Sequence, residues 1–175
     1  MTKDDLMGII RTEKNNYRLA YVLIIQTSQD DVMTYFLDLY RSIDPKFKVI
    51  NGIEPLVLDK KVLKIAVDQF HITILRAIVK ELFEILKIYC KSTAQDDLLY
   101  SQDWYQPWRI IRNCFSHDFH FRFKNYDKKL LPLSWRGIEI REEMDGTKIT
   151  TSHLSYEKIW ALINEAERFV KNKLA

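Results

Sequence analysis

Apolar residues recur at three- and four-residue spacing along most of the chain, the period of helices that bury one face and leave the other in water. Leu6, Ile9, Ile10, Tyr17, Ala20, Tyr21, Ile24 and Ile25 follow this period, while Glu13, Lys14 and Arg18 fall off it, which predicts a first helix from about Asp4 to Gln26. Ser28, with Asp30 and Asp31 behind it, reads as the N-cap and acidic first turn of a second helix that runs through Arg41 and stops at Asp44-Pro45. Two prolines and Gly52 mark Asp44 to Val57 as an irregular connection. The longest periodic run follows, from Asp59 to Cys90, carrying Leu63, Val67, Phe70, Ile74, Ile78, Leu82, Ile85 and Tyr89 with no Gly or Pro. Unbroken, it would reach on the order of 45 Å and serve as the spine of a bundle. His71 lies one position from its stripe and reads as a flanking or packing histidine.

Ser92 to Ser101 is polar and predicts a loop. Asp103 can then cap a helix containing Trp104 and Trp108, with Pro107 tolerable in the first turn, and the helix ends between His117 and Phe121. Beyond it the period changes. Trp135, Ile138 and Ile140 alternate with charged residues, Asp145-Gly146 is a hairpin-turn signal and Lys148 to Thr151 resumes a β-prone run, so a two-stranded hairpin at about 134–151 is predicted before the last helix. That helix starts at Ser155, with Leu154 and Ile159 placed as a hydrophobic staple, and continues through Trp160, Ile163, Ala166, Phe169 and Val170. The fold class is therefore mainly α, a helical bundle with a small appended β-hairpin. No linker, repeat or low-complexity tract divides it, so residues 1–175 read as one domain.

Composition agrees: 47% of residues are apolar, 29% are charged, and Gly and Pro number four each, which suits a packed helical protein better than a disordered chain or a β-sandwich. Cys90 and Cys114 form no paired motif and sit in apolar helical patterns, as small buried hydrophobes of a reducing compartment do. Acids at Asp4 and Asp5 occupy the place where a signal peptide needs an apolar run, and no stretch is apolar enough to span a membrane, so a cytoplasmic protein is expected. A net charge of +3 is too mild to identify a nucleic-acid binder by itself.

Placement of the basic residues matters more. On a wheel of about 100° per residue, Arg109, Arg112, Asn113, Ser116, His117 and His120 fall within roughly 140° of one another, and Trp108, Ile110, Ile111, Cys114, Phe115 and Phe119 take the rest. Solvated helix faces usually mix Lys, Glu and Gln; this one has two guanidiniums, two imidazoles, an amide and a hydroxyl, with no acid. Asp118 falls in the apolar arc, so either the helix stops at His117 or Asp118 meets a positive group on another helix. Side chains of this kind suit phosphodiester transfer without a metal or other cofactor. Asn113 and His117, four apart, face the same way, and Arg112 beside them can present two donors to phosphate oxygens. An imidazole can take the proton of a ribose 2′-hydroxyl or give one to the departing 5′-oxygen, while a guanidinium stabilises charge on the phosphorane.

Ile111-Arg112-Asn113-Cys114-Phe115-Ser116-His117 resembles the Arg-Asn-x-x-x-His motif of HEPN domains, a superfamily of helical bundles. The likeness covers this motif and its place on a late helix after long bundle helices. It implies a metal-independent endoribonuclease of toxin–antitoxin or phage-defence type, an RNA substrate, a homodimer with the two motifs facing each other, and a possible antitoxin partner. Arg112, Asn113 and His117 would be catalytic, with Arg109, Ser116 and His120 as substrate contacts. Members silenced by AMP transfer carry a tyrosine two residues after the histidine, where this chain has Phe119.

Three other readings compete. His117, Asp118 and His120 have a spacing that could hold a metal. The basic and aromatic residues Phe119, Phe121, Arg122, Phe123, Lys124, Tyr126, Lys128 and Lys129 could form an RNA-contacting rim, or pack on the bundle. The polar stripe could also belong to a non-catalytic dimeric module that binds a nucleotide or partner. An enzyme requires His117 and Arg112 to line an open cleft, whereas a pure seam requires them to be closed off.

Overall fold

The structure is a computed structural model that describes residues 1–27, 29, 34–35, 38–39, 41–43, 59–150 and 152–175. The described elements are α1 (Lys3–Thr27), α2 (Lys60–Ser92), α3 (Asp96–Tyr100), α4 (Tyr105–Ser116), α5 (Asn125–Lys128), β1 (Leu133–Trp135), β2 (Ile138–Ile140), a 3-10 turn (Glu142–Met144) and α6 (Tyr156–Lys173). The chain is mainly helical with one small antiparallel sheet, as its periodicity predicts. The second helix expected between Ser28 and Arg41 and the connection expected from Asp44 to Val57 lie largely outside the described residues. No described helix is long and apolar enough to cross a membrane.

Two compact units are present, Met1–Lys14 with Arg76–Ala175, and Asn15–Leu75. In the first, Leu6 and Ile10 of α1, Ile78, Leu82 and Leu86 of α2, Trp104 and Trp108, and Ile159, Leu162 and Ala166 of α6 are almost wholly buried. Removing this apolar surface from water is what holds the unit together. Trp108 also solves the problem of its own polar atom, because its Nε1 donates to the Val79 carbonyl at 3.0 Å. Lys14 ties α1 to α6 through the Asn164 amide oxygen at 2.8 Å and the Trp160 ring at 4.9 Å. In the second unit Tyr17, Ala20, His71 and Leu75 are buried, whereas Phe70, which the periodicity placed on the stripe, is exposed.

Helix starts follow local chemistry in part. Asp59 accepts from the Lys61 and Val62 N–H groups at 2.8 and 3.3 Å and so caps α2. Pro107 is the third residue of α4, where its missing N–H has no intrahelical acceptor to lose. The cap expected from Asp103 is not used; Trp104 holds that position without a side-chain bond. Leu154 and Ile159 flank the Ser155 N-cap of α6 and are both buried, as a staple requires. The loop expected over Ser92 to Ser101 contains the short helix α3.

The hairpin is real but its turn is elsewhere. Leu133 pairs with Ile140, Ser134 with Glu139 and Trp135 with Ile138, so the chain reverses at Arg136-Gly137 rather than at Asp145-Gly146. Arg136 and Gly137 both take positive φ (44° and 77°), as a two-residue turn between twisted strands demands. Gly146 is also at positive φ, 79°, and serves a different join. Its N–H donates to Phe121 O at 2.8 Å, Phe121 N–H to Thr147 O at 2.9 Å, and Ile149 N–H to Phe119 O at 2.7 Å. The β-prone run after Gly146 thus pairs with the chain leaving α4, around a His120–Lys148 bridge, and not with β2.

Candidate functional site

α4 buries Tyr105, Trp108, Ile110, Ile111, Cys114 and Phe115, which turns Arg112 and Asn113 to the opposite side. The helix ends at Ser116, with His117 as its C-cap at φ −109° and ψ −115°. Its last carbonyls need donors, and Arg76 of α2 supplies them, reaching Ser116 O at 3.3 Å and His117 O at 3.4 Å while lying over the Phe119 ring. Asp118 is therefore beyond the helix. It pairs with Arg122 and faces His120, so the first of the two explanations for its place on the wheel holds.

A cleft of about 410 Å³ opens beside the helix end, and Arg112, Asn113, His117, His120, Arg122 and Lys124 line it. His117 is exposed and its ring has no hydrogen bond among the described residues. Arg112 is held on two sides, by Asn113 Oδ1, which accepts from Nη1 at 3.1 Å, and by an ion pair from Nη2 to Glu84 of α2. Its buried Nε has no hydrogen-bond partner among the described residues. Asn113 therefore turns its amide oxygen to the guanidinium, although the helical spacing places it on the same side as His117.

Two acids, Asp127 and Asp145, also reach the cleft wall, and each is matched by a base. Asp127, nearly buried, meets Arg109 Nη2 at 2.5 Å and accepts the Lys124 N–H at 2.9 Å. Asp145 accepts the Phe123 N–H at 3.0 Å and pairs with Lys128 at 3.0 Å, and these two contacts hold its carboxyl below the usual range. For Asp118 partial desolvation pushes the carboxyl upward, but the Arg122 hydrogen bond and nearby N–H groups outweigh it, and the net shift is downward. Lys124 has no ion pair among the described residues, so the cleft keeps a cation without a counter-ion.

Two of the expected substrate contacts, Arg109 and Ser116, are not among the residues that line the cleft. Arg109 does not face the cleft: it is committed to Asp127, to Gln106 Oε1 at 2.7 Å and to the face of Tyr126 at 4.6 Å. Ser116 turns its hydroxyl back to Arg112 O at 2.8 Å, the local bond that competes for serines in helices. His120 does reach the cleft, but from the strand-like segment after the helix and not from the helical face on which the wheel placed it. Of the aromatic and basic stretch, Phe121 and Phe123 are buried and pack on one another at 5.7 Å, and Arg122, Phe123 and Lys124 all contribute to the cleft wall. Alternation along the extended segment leaves Arg122 and Lys124 exposed beside the buried rings. Glu84 and Arg76 were not legible as site residues, since each is one polar residue among many on a long helix.

The metal arrangement of His117, Asp118 and His120 does not form; among the described residues no three His, Cys, Asp or Glu side chains are grouped to hold an ion. Comparison with protein-family models, with curated proteins and with solved structures finds no match.

Proposed function

We propose that this protein is a metal-independent endoribonuclease of the HEPN type, acting in the cytoplasm as a homodimer in a toxin–antitoxin or phage-defence setting. The observation that supports it is the shared cleft: an imidazole with no partner among the described residues, a positioned guanidinium and two further cations line one open space of nucleotide size. In the reaction His117 takes the proton of the ribose 2′-hydroxyl, the 2′-oxygen attacks phosphorus, and the bond to the 5′-oxygen breaks, leaving a 2′,3′-cyclic phosphate. Arg112 stabilises the charge that builds on the non-bridging oxygens, with Asn113 fixing its plane. Arg122 and Lys124 track the neighbouring phosphates.

The experiment is cleavage of RNA in the presence of a chelator. Wild type cuts and leaves cyclic phosphate ends, and His117→Ala loses about a hundredfold or more while keeping its thermal midpoint. Undiminished cutting by His117→Ala rejects the assignment. The Glu84 contact favours one other reading, a module that binds nucleotide or partner without cleaving, because it occupies the donor a phosphorane would use. RNA binding by wild type without any cleavage product would select it.

A further inference from the structure

We propose that His120 is a second catalytic residue of the cleft, the general acid that protonates the departing 5′-oxygen while His117 acts as base. This rests on the ribonuclease reading. Cleavage needs two proton transfers, one from the 2′-hydroxyl and one to the 5′-oxygen, and within one subunit a single imidazole cannot be on both sides of phosphorus at once. The cleft contains two, and they are held differently.

His120 is anchored. Its Nδ1 lies 2.9 Å from Asp118 O, so that nitrogen donates to a carbonyl and only Nε2 remains for a reacting atom. The Asp118 carboxylate stands 3.4 Å from the same nitrogen and also accepts the His120 backbone N–H at 3.3 Å. One edge of the ring thus faces a carboxylate, and Arg122 holds that carboxylate from the other side. His117 has neither such an anchor nor a carboxylate within reach among the described residues, so both of its ring nitrogens face open space.

The backbone is bent to put both rings there. Between them Phe119 takes φ +63°, uncommon for so large a side chain. The turn is held by Phe119 N–H to Cys114 O at 3.0 Å, by Ile149 N–H to Phe119 O at 2.7 Å, and by the Phe115 ring edge-on to Phe119 at 5.2 Å. It brings His120 back to the wall that carries Arg112 and Asn113. In the balanced step the 2′-hydroxyl proton passes to His117, the O2′–P bond forms, the P–O5′ bond breaks, and the proton on His120 Nε2 goes to O5′. His117 ends protonated and His120 neutral, and exchange with water resets both.

The test uses the full-length protein and two RNA oligonucleotides that differ at the mapped cleavage position, one ordinary and one with sulfur in place of the bridging 5′-oxygen. A thiolate departs without a proton. His120→Ala is expected to slow the ordinary RNA a hundredfold or more and the sulfur-bridged RNA less than about fivefold, whereas His117→Ala slows both. His120→Gln, checked by circular dichroism, repeats the measurement if the alanine variant does not fold. Equal slowing of both substrates, or full activity on ordinary RNA, overturns the role of His120 and leaves the ribonuclease reading standing. Failure of wild type to cut either RNA overturns both.

Discussion

Arg112 on α4 and Glu84 on α2 form an ion pair, so the guanidinium that lines the cleft is already turned toward a carboxylate. Both side chains are partly exposed, which limits what the pair adds to stability. Under the proposed ribonuclease function its stronger effect is on the substrate, whose phosphate competes with Glu84 for the same donor. Glu84→Gln is therefore expected to shift the thermal midpoint by no more than a degree or two and to tighten RNA binding severalfold at low salt. Fluorescence anisotropy with a labelled oligonucleotide reads this directly, and weaker binding by the variant would show that Glu84 positions Arg112 more than it competes.

Arg109 and Asp127 tell the opposite story, because there the acid is nearly buried. Removing one partner leaves a buried charge uncompensated, a change that costs about 3 kcal/mol or more. Arg109→Met should lose about that much in urea unfolding. Adding Asp127→Leu to it should restore only part, since the Lys124 N–H then loses its acceptor. A single variant as stable as wild type would mean that Arg109 does not hold Asp127 in place.

Burial pushes the Cys90 thiol up to about 11 and the Cys114 thiol up to about 12. Both are free and buried, so almost no thiolate exists near neutral pH. Native protein at pH 8 should give almost no fast reaction with an aromatic disulfide reagent, and two thiols per chain should appear on unfolding. Prompt labelling of the native state would contradict the packing of α2 and α4.

His71 is held below the ordinary imidazole range by desolvation, with Asp68 opposing. The unfolded chain then binds the proton first as pH falls, so the stability linked to this group is complete above about 6.5 and declines below it. The midpoint of wild type should fall between pH 7.5 and 5.5 more steeply than that of His71→Leu. Parallel slopes would mean that the ring takes up its proton in the folded state without penalty.

What the chain encodes by itself is whatever depends on neighbours within a few positions. Helical period, the Asp59 cap, Pro107 in a first turn and the staple around Ser155 are all of that kind, and they place α1, α2, α4 and α6 together with the Arg112, Asn113, His117 spacing. Tertiary structure decided the contacts between distant segments. The run after Gly146 had two possible strands to join and paired with residues 119–121, because burial of Phe121 and Ile149 fixed that register and left β2 to β1. Arg109 and Arg112 are three apart on one helix, yet one was captured by the buried Asp127 and the other by Glu84 beside the cleft. A side chain's type sets what it can bind, but the partner within reach is set by which surfaces the folded core brings together.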